Sequence, residues 1–407
     1  MFVGGLGVLS VLSVLIGNAL PKVSDKPTAA HTVAGPSASA TPRAKPAPSK
    51  PTSVLTSAGR VNLVKDPWTA GRPQLGVDVY WAANASERTA VTRLKIAATV
   101  NDIVGLNANW VSISFPFDTG GPDSDELSAD PSMTPSLSRL GMLVTTAEAA
   151  GLHVELRPLL NETNLVAQNA NDWRGSIAPD SVSAWFASYA QFLKPYVRLA
   201  QQDQVDAFNI STELNSMEGY TSRWKALTAE VASQYHGRLV TSINYNRIPA
   251  DTTRIPDVGL GVDAYFPIAG ASPGASVGQL VTGWNKWLDQ YSTGSLSGLT
   301  FSEVGIVPQD GAYQAPYVWQ ASGAVDPRIQ VTWDTAACQI ARTRHTAGIF
   351  WWYLDLENVT LPSGTRISAG DPMDILNSQS MGVIRNCFAD FTAPAAQQQP
   401  GGARGGK

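Results

Sequence analysis

Asp206-Ala-Phe-Asn-Ile-Ser-Thr-Glu213-Leu214 is the stretch whose reading decides the fold. Phe208 and Ile210 alternate with Asn209 and Ser211, the period-2 signature of a strand. Glu213 continues the phase of Asn209 and Ser211, so the strand ends by presenting a carboxyl on its polar side. Leu299-Thr-Phe-Ser-Glu303-Val-Gly305 has the same build, a short strand with a glutamate near its C-terminal end. Whether the two acids meet depends on the strands between and around them.

Working outward, residues 74–80, 108–115 and 152–159 read as three strands before the Glu213 strand. Residues 238–245 and 258–266 read as two more between the glutamates, and 348–354 as the last. Helical spacing of apolar positions fills 87–104, 135–150, 180–201, 221–235, 276–291 and 332–344. Eight strands alternating with helices predict a parallel sheet, and at this count a closed (β/α)8 barrel of the α/β class. In such a barrel all strand C-termini share one face, where active sites lie. Glu213 ends the fourth strand and Glu303 the seventh, so both acids are expected at one mouth, nearly across from each other.

The rest of the composition narrows the class. The chain has 407 residues and a formal net charge of −4, which offers no electrostatic footprint for a nucleic-acid partner. Its four histidines, His31, His153, His236 and His345, are scattered, and no CxxC pair occurs, so neither a zinc site nor any other metal or organic cofactor is expected. Residues 2–20 are apolar or small and read as a signal peptide or an uncleaved membrane anchor. Residues 21–60, rich in Ala, Pro, Ser, Thr and Lys, read as a disordered tether from membrane or cell wall. A single domain over 61–390 and a disordered tail over 391–407 complete the layout. Export is the expectation, to a secreted or membrane-anchored extracellular form. Cys338 and Cys387 then either pair, tying a late helix to the C-terminal segment, or remain two buried thiols.

Paired carboxyls on strand tips suit one chemistry well. Cleavage of a glycosidic bond with retention needs two carboxyl groups roughly 5–5.5 Å apart, one a nucleophile and the other an acid and then a base. The remaining strand ends supply Tyr80, Trp81, Phe115, Arg157, Asn244, Tyr245, Tyr265, Trp351, Trp352 and Tyr353. Aromatic faces stack on sugar rings and polar groups meet hydroxyls, and a chain with 12 Trp fits that use. Trp351 and Trp352 point to opposite sides of their strand, so one of them faces the barrel exterior. His153, Glu155, Asp78 and Asp263 are expected in a polar interior layer, and Asp118, Asp123, Asp125 and Glu126 in a long solvated loop.

The pattern resembles the retaining (β/α)8 glycoside hydrolases called clan A. Within them, Ser211-Thr-Glu213-Leu214, Leu156-Arg157-Pro158 and Ser302-Glu303-Val304-Gly305 resemble motifs of glycoside hydrolase family 113, the β-mannanase-like family. Thr212 stands where most clan A families have Asn, and Arg157 where family 113 has Lys. The resemblance implies Glu213 as acid/base, Glu303 as nucleophile, Tyr265 as the tyrosine that hydrogen-bonds the nucleophile, and Trp351 or Trp352 as the platform beneath the reacting sugar. It implies a polysaccharide or oligosaccharide partner, most simply a β-1,4-mannan, cleaved by double displacement. Two other readings stand beside it: the same chemistry on another β-glycan, and a non-catalytic carbohydrate-binding barrel tethered to the cell wall.

Overall fold

Strands buried on both faces dominate the chain, as a parallel sheet wrapped by helices requires. The computed structural model describes residues 60–392 except 84, 249–254, 256, 320–322, 358, 360–371 and 377. The apolar segment 2–20, all of the tether but Arg60, and the tail from 393 onward lie outside the described residues.

The barrel strands are β1 (Gln74–Tyr80), β2 (Trp110–Thr119), β4 (His153–Leu160), β5 (Ala207–Thr212), β6 (Arg238–Asn244), β7 (Gly259–Asp263), β8 (Leu299–Val304) and β9 (Gly348–Asp355). Each pairs in parallel with its neighbours, and β1 closes the ring by pairing with both β2 and β9. The eight expected strands are therefore all present and the (β/α)8 barrel is observed. A two-residue strand, β3 (Leu127–Ser128), adds an antiparallel rung to the end of β2. It converts part of the expected solvated loop into a short β-hairpin at the barrel mouth.

The helices are α1 (Thr89–Gly105), α2 (Leu137–Ala149), α3 (Thr163–Gln168), α4 (Val182–Gln202), α5 (Thr221–Ala232), α6 (Val277–Leu288), α7 (Pro327–Thr343) and α8 (Ser380–Thr392). Two were not expected: α3 sits inside the β4–α4 connection, and α8 runs two residues into the segment read as a tail. Helix α7 begins five residues earlier than its periodicity suggested. Asp326 caps it through a hydrogen bond from Arg328 N, and Pro327, with no N–H to satisfy, starts the first turn.

Helix α4 shows how the acid-bearing strands are fixed from outside. Ser181 caps its N-terminus, and Trp185, Tyr189, Phe192 and Tyr196 recur at i, i+4, i+7 and i+11 on the buried face. Phe192 lies 4.6 Å from Phe117 and Tyr196 4.8 Å from Phe115, both on β2. Tyr189 OH donates to Ile210 O at 3.1 Å, which pins β5 three residues before Glu213. Across the barrel, Trp284 of α6 packs 5.4 Å from Phe301 of β8 and 5.2 Å from Trp333 of α7. The Trp surplus is largely spent in this way. Trp81, Trp110, Trp185, Trp224, Trp284, Trp333 and Trp351 are all fully buried, so most of the 12 serve packing rather than sugar contact.

The cysteines are paired. The bond joins α7 to α8 with Cα atoms 5.8 Å apart across 49 residues of chain. In the chain-entropy model a loop of that size is worth about 4 kcal/mol.

Candidate active site

The barrel is irregular at its C-terminal end in three places. Along β5, Asn209 and Thr212 face Val240 and Ser242, so β5 carries one residue more than β6. Along β8, Phe301 and Val304 face Ile349 and Trp351, again one extra residue. Along β9, Trp351 and Leu354 face Val77 and Val79 of β1. Each extra residue is a β-bulge, a device that re-aims side chains at barrel rims. The bulges fall just before Glu213 on β5, at Glu303 on β8 and at Trp352 on β9.

On β8 the bulge is decisive. Strict alternation would send Glu303 outward with Leu299 and Phe301. Instead Glu303 enters the barrel. Its Oε2 accepts a 2.6 Å hydrogen bond from Tyr265 OH, and Arg157 Nη2 stands 2.6 Å from Oε1. The Arg157 contact is an ion pair off the hydrogen-bonding line, so Oε1 accepts no hydrogen bond among the described residues.

Arg157 is itself wholly buried beneath this carboxylate. Its Nη2 donates to both oxygens of Asp263 at 3.0 and 2.9 Å, Nη1 reaches Asp78 Oδ1 at 3.5 Å, and Nε reaches Thr212 Oγ1 at 3.3 Å. Burial raises the carboxyls of Asp78 and Asp263 well above the usual range, and the Arg157 charge opposes the rise. Asp78 is the more weakly held of the two, with Oδ2 lacking a hydrogen-bond partner among the described residues. Arg157 is shared among Asp263, Glu303 and, at a longer 3.5 Å, Asp78. Glu155 lies in the same interior and accepts from Asn209 Nδ2 at 3.3 Å. His153 does not join this layer. It pairs with Asp206 at 2.8 Å and stacks on Trp110 at the opposite end of the barrel, because it is the first residue of β4.

Glu213 follows β5 with φ +53°, a left-handed conformation uncommon for a glutamate. The β5 bulge turns Thr212 inward to Arg157, and the left-handed turn lets Glu213 follow it over the barrel mouth. Its Oε1 accepts from Asn244 Nδ2 at 2.7 Å, and its Oε2 accepts from Arg174 Nη1 at 2.9 Å. Burial pushes its carboxyl up to about 7, Arg174 opposes the shift, and the Glu303 charge adds to it.

Arg174 is a residue the sequence did not single out. It begins a 3-10 turn, Arg174–Ser176, in the long β4–α4 connection. Its Nε donates to Leu160 O at 3.1 Å and its backbone N to Glu162 Oε1 at 3.2 Å. No periodicity or motif marks it, since only the folded connection carries it to β5. Asn161 of the same connection donates to Asp118, and Ser181 N donates to Asp125 at 2.7 Å. These two expected loop acids therefore tie neighbouring loops together.

The aromatic candidates divide. Trp352 lies over Arg157, with the guanidinium carbon 6.0 Å from its ring centroid, and Tyr80 and Tyr353 lie 6.2 and 4.9 Å from it. Trp351 is fully buried in the outer hydrophobic layer, so of the two β9 tryptophans Trp352 faces the mouth. Trp81 is likewise sealed in the core at 1% exposure, because Trp81 N pairs with Ser114 O and continues the β1 ladder past the rim. Neither Trp81 nor Trp351 presents a face to a ligand, which corrects their reading as contact residues. Tyr245, next to Asn244, stacks on Tyr317 with ring centroids 6.0 Å apart and planes 6° apart.

The class of fold is a closed parallel (β/α)8 barrel, and its mouth holds two buried carboxyls in unlike surroundings. The sequence profile of Glycoside Hydrolase Family 113 matches residues 80–361, and the chain belongs to that family. It is therefore a glycoside hydrolase. Among solved structures it is similar to the GH113 β-mannanase AaManA from Alicyclobacillus acidocaldarius, with a TM-score of 0.62 and 19% identity over 79% of this chain and 98% of that one. A second GH113 β-1,4-mannanase gives a TM-score of 0.62 and 17% identity over 78% of this chain and 99% of the other. At such identities the likeness speaks for the fold. No curated protein matches the chain in sequence.

Proposed function

We propose that the protein cleaves a β-linked polysaccharide, most simply a β-1,4-mannan, with retention of configuration. Glu303 is the nucleophile and Glu213 the acid and then the base. The observation that carries this reading is the contrast between the two carboxyls. Glu213 is held near neutrality in its titration, and Glu303 lies against a guanidinium and a tyrosine hydroxyl.

The steps follow from the contacts. Tyr265 holds Glu303 through Oε2 and Arg157 lies against Oε1, so the carboxyl is fixed in place for attack on the anomeric carbon. Protonated Glu213 donates to the leaving oxygen, so the glycosidic C–O bond breaks as the bond to Glu303 forms. Ionised Glu213 then takes a proton from water, which displaces Glu303 and releases the sugar with the original configuration. Trp352 supplies an apolar floor for the reacting ring, with Tyr80 beside it. Asn244 orients Glu213. Membership in Glycoside Hydrolase Family 113 supports the substrate class, and the mannanases of like fold support mannan within it. The paired cysteines support export to an oxidising compartment, secreted or tethered.

Reducing-end release from mannan, glucomannan and a panel of other β-glycans tests the reading, with E303Q beside the wild type. Turnover of one glycan, abolished in a folded E303Q, supports the mechanism and names the substrate. Turnover that survives the substitution removes Glu303 from the role of nucleophile. Binding without turnover on every glycan turns the protein into a carbohydrate-binding barrel.

A further inference from the structure

Three aromatic side chains are exposed among the described residues: Tyr220 at 42%, Tyr317 at 51% and Trp319 at 55%. All three lie on connections that leave the C-terminal ends of barrel strands, Tyr220 after β5 and the other two after β8. They share the face that holds Glu213 and Glu303. Exposed aromatic faces on a protein that packs its other aromatics this thoroughly point to a ligand.

We propose that Tyr317, backed by Tyr245, and Trp319 form a stacking platform for the sugar units on the leaving-group side of the site. The proposal rests on the glycanase reading above and extends it. Its first support is position. Asn244 bonds the oxygen Oε1 of Glu213, and Tyr245 is the next residue, so the platform begins beside the group that protonates the leaving oxygen. Trp352 and Tyr80 belong to β9 and β1, across the ring from β6, where the sugar that bonds to Glu303 sits. A chain bound on Trp352 and cleaved beside Glu213 must leave over β6.

Its second support is rigidity. The β8–α7 connection is braced at its base by pairing of Gln309 with Val325, and Asp310 N donates to Ala324 O at 3.0 Å. Tyr313 is buried against Trp333 and receives Ile268 N on its carbonyl at 2.8 Å. Tyr245 is fixed from below, its carbonyl accepting Trp287 Nε1 at 3.1 Å. With one tyrosine parallel beneath it, Tyr317 is held before a ligand arrives, and a preordered ring binds with a smaller entropy cost. Flat aromatic faces suit the apolar faces of pyranose rings and tolerate a sliding polymer, since stacking needs no single hydrogen-bond register.

The full chain tests this with two substrates. One is the β-1,4-linked hexasaccharide of whichever glycan is turned over, which fills leaving-group positions. The other is the aryl β-glycoside of the matching disaccharide, whose leaving group is a single ring. We expect Y317A and W319A each to lower the ratio of kcat/KM between hexasaccharide and aryl glycoside by roughly five- to tenfold. Y317F should restore the wild-type ratio, because it keeps the ring and loses only the hydroxyl. An unchanged ratio in both alanine variants, with thermal unfolding like the wild type, overturns the platform and leaves the catalytic reading intact. If wild type turns over no glycan, quenching of tryptophan fluorescence by β-1,4-mannohexaose is the readout. Quenching weakened by Y317A then keeps the platform while the catalytic reading falls, and quenching that is absent or unaffected overturns both.

Discussion

The two strand tips carry the same residue type and make different groups of it. At the end of β8, Glu303 enters through a bulge and meets a guanidinium at 2.6 Å and a phenolic hydroxyl at 2.6 Å. At the end of β5, Glu213 rises on a left-handed turn into a buried pocket, with an amide on one oxygen and Arg174 on the other. Burial raises the Glu213 carboxyl to about 7 despite Arg174. Two identical side chains thus sit in unlike surroundings, and the proposed mechanism uses one as nucleophile and the other as proton carrier. In that proposal environment, rather than residue identity, assigns the two roles.

The sharpest break of this comparison is E303Q. An amide cannot form the covalent intermediate, so kcat on polysaccharide should fall by about four orders of magnitude or more. Intact cooperative unfolding would show that the loss is chemical. E213Q should cost about 10²–10⁴-fold on polysaccharide. It should cost much less for the bond-breaking step of an aryl glycoside with an acidic leaving group, because such a group departs without a proton. Equal losses on both substrates would remove Glu213 from the acid role.

Y265F leaves Glu303 in place and removes the hydrogen bond to Oε2. A charge-assisted bond of this kind is worth about 1.5–3 kcal/mol, so kcat/KM should drop roughly 10- to 150-fold with little change in KM. The mildest change is R174Q, read in the pH profile of kcat/KM. Wild-type activity should decline as pH rises through about 7, where Glu213 loses its proton. Arg174 favours the ionised carboxyl, so its removal should raise the Glu213 pKa and move the alkaline limb upward by on the order of one unit. A limb that stays in place would mean that Arg174 only packs the β4–α4 connection.

Much of the architecture was legible because strands and helices have local periodicities. All eight strands of the barrel were marked by short β-rich runs between turn residues, and the order of strands and helices sufficed for closure. The helices were read less completely. Short α3 has too few residues for a periodic signal, and the start of α7 is set by the Asp326-Pro327 cap rather than by its apolar stripe. Among candidate residues, position on a strand tip brings Arg157 and Tyr265 to Glu303 and Asn244 to Glu213. The same rule failed for Trp81 and Trp351. A residue just past a strand end can still extend the ladder into the core, and a bulge decides which of two neighbours turns inward.

The sequence by itself determined the ring of strands, the two glutamates at the ends of the fourth and seventh, and the family motifs around them. These are local facts, carried by alternation and by residues adjacent in the chain. Only the tertiary structure decided that Glu303 points inward, since alternation would have placed it with Phe301, and that Arg174 faces Glu213 across 39 residues. It alone decided which tryptophan meets the mouth and which side of the site bears exposed aromatics. The reason is physical: bulges, left-handed turns and charge pairs between distant loops are settled by packing and electrostatics among elements, and no periodicity records them.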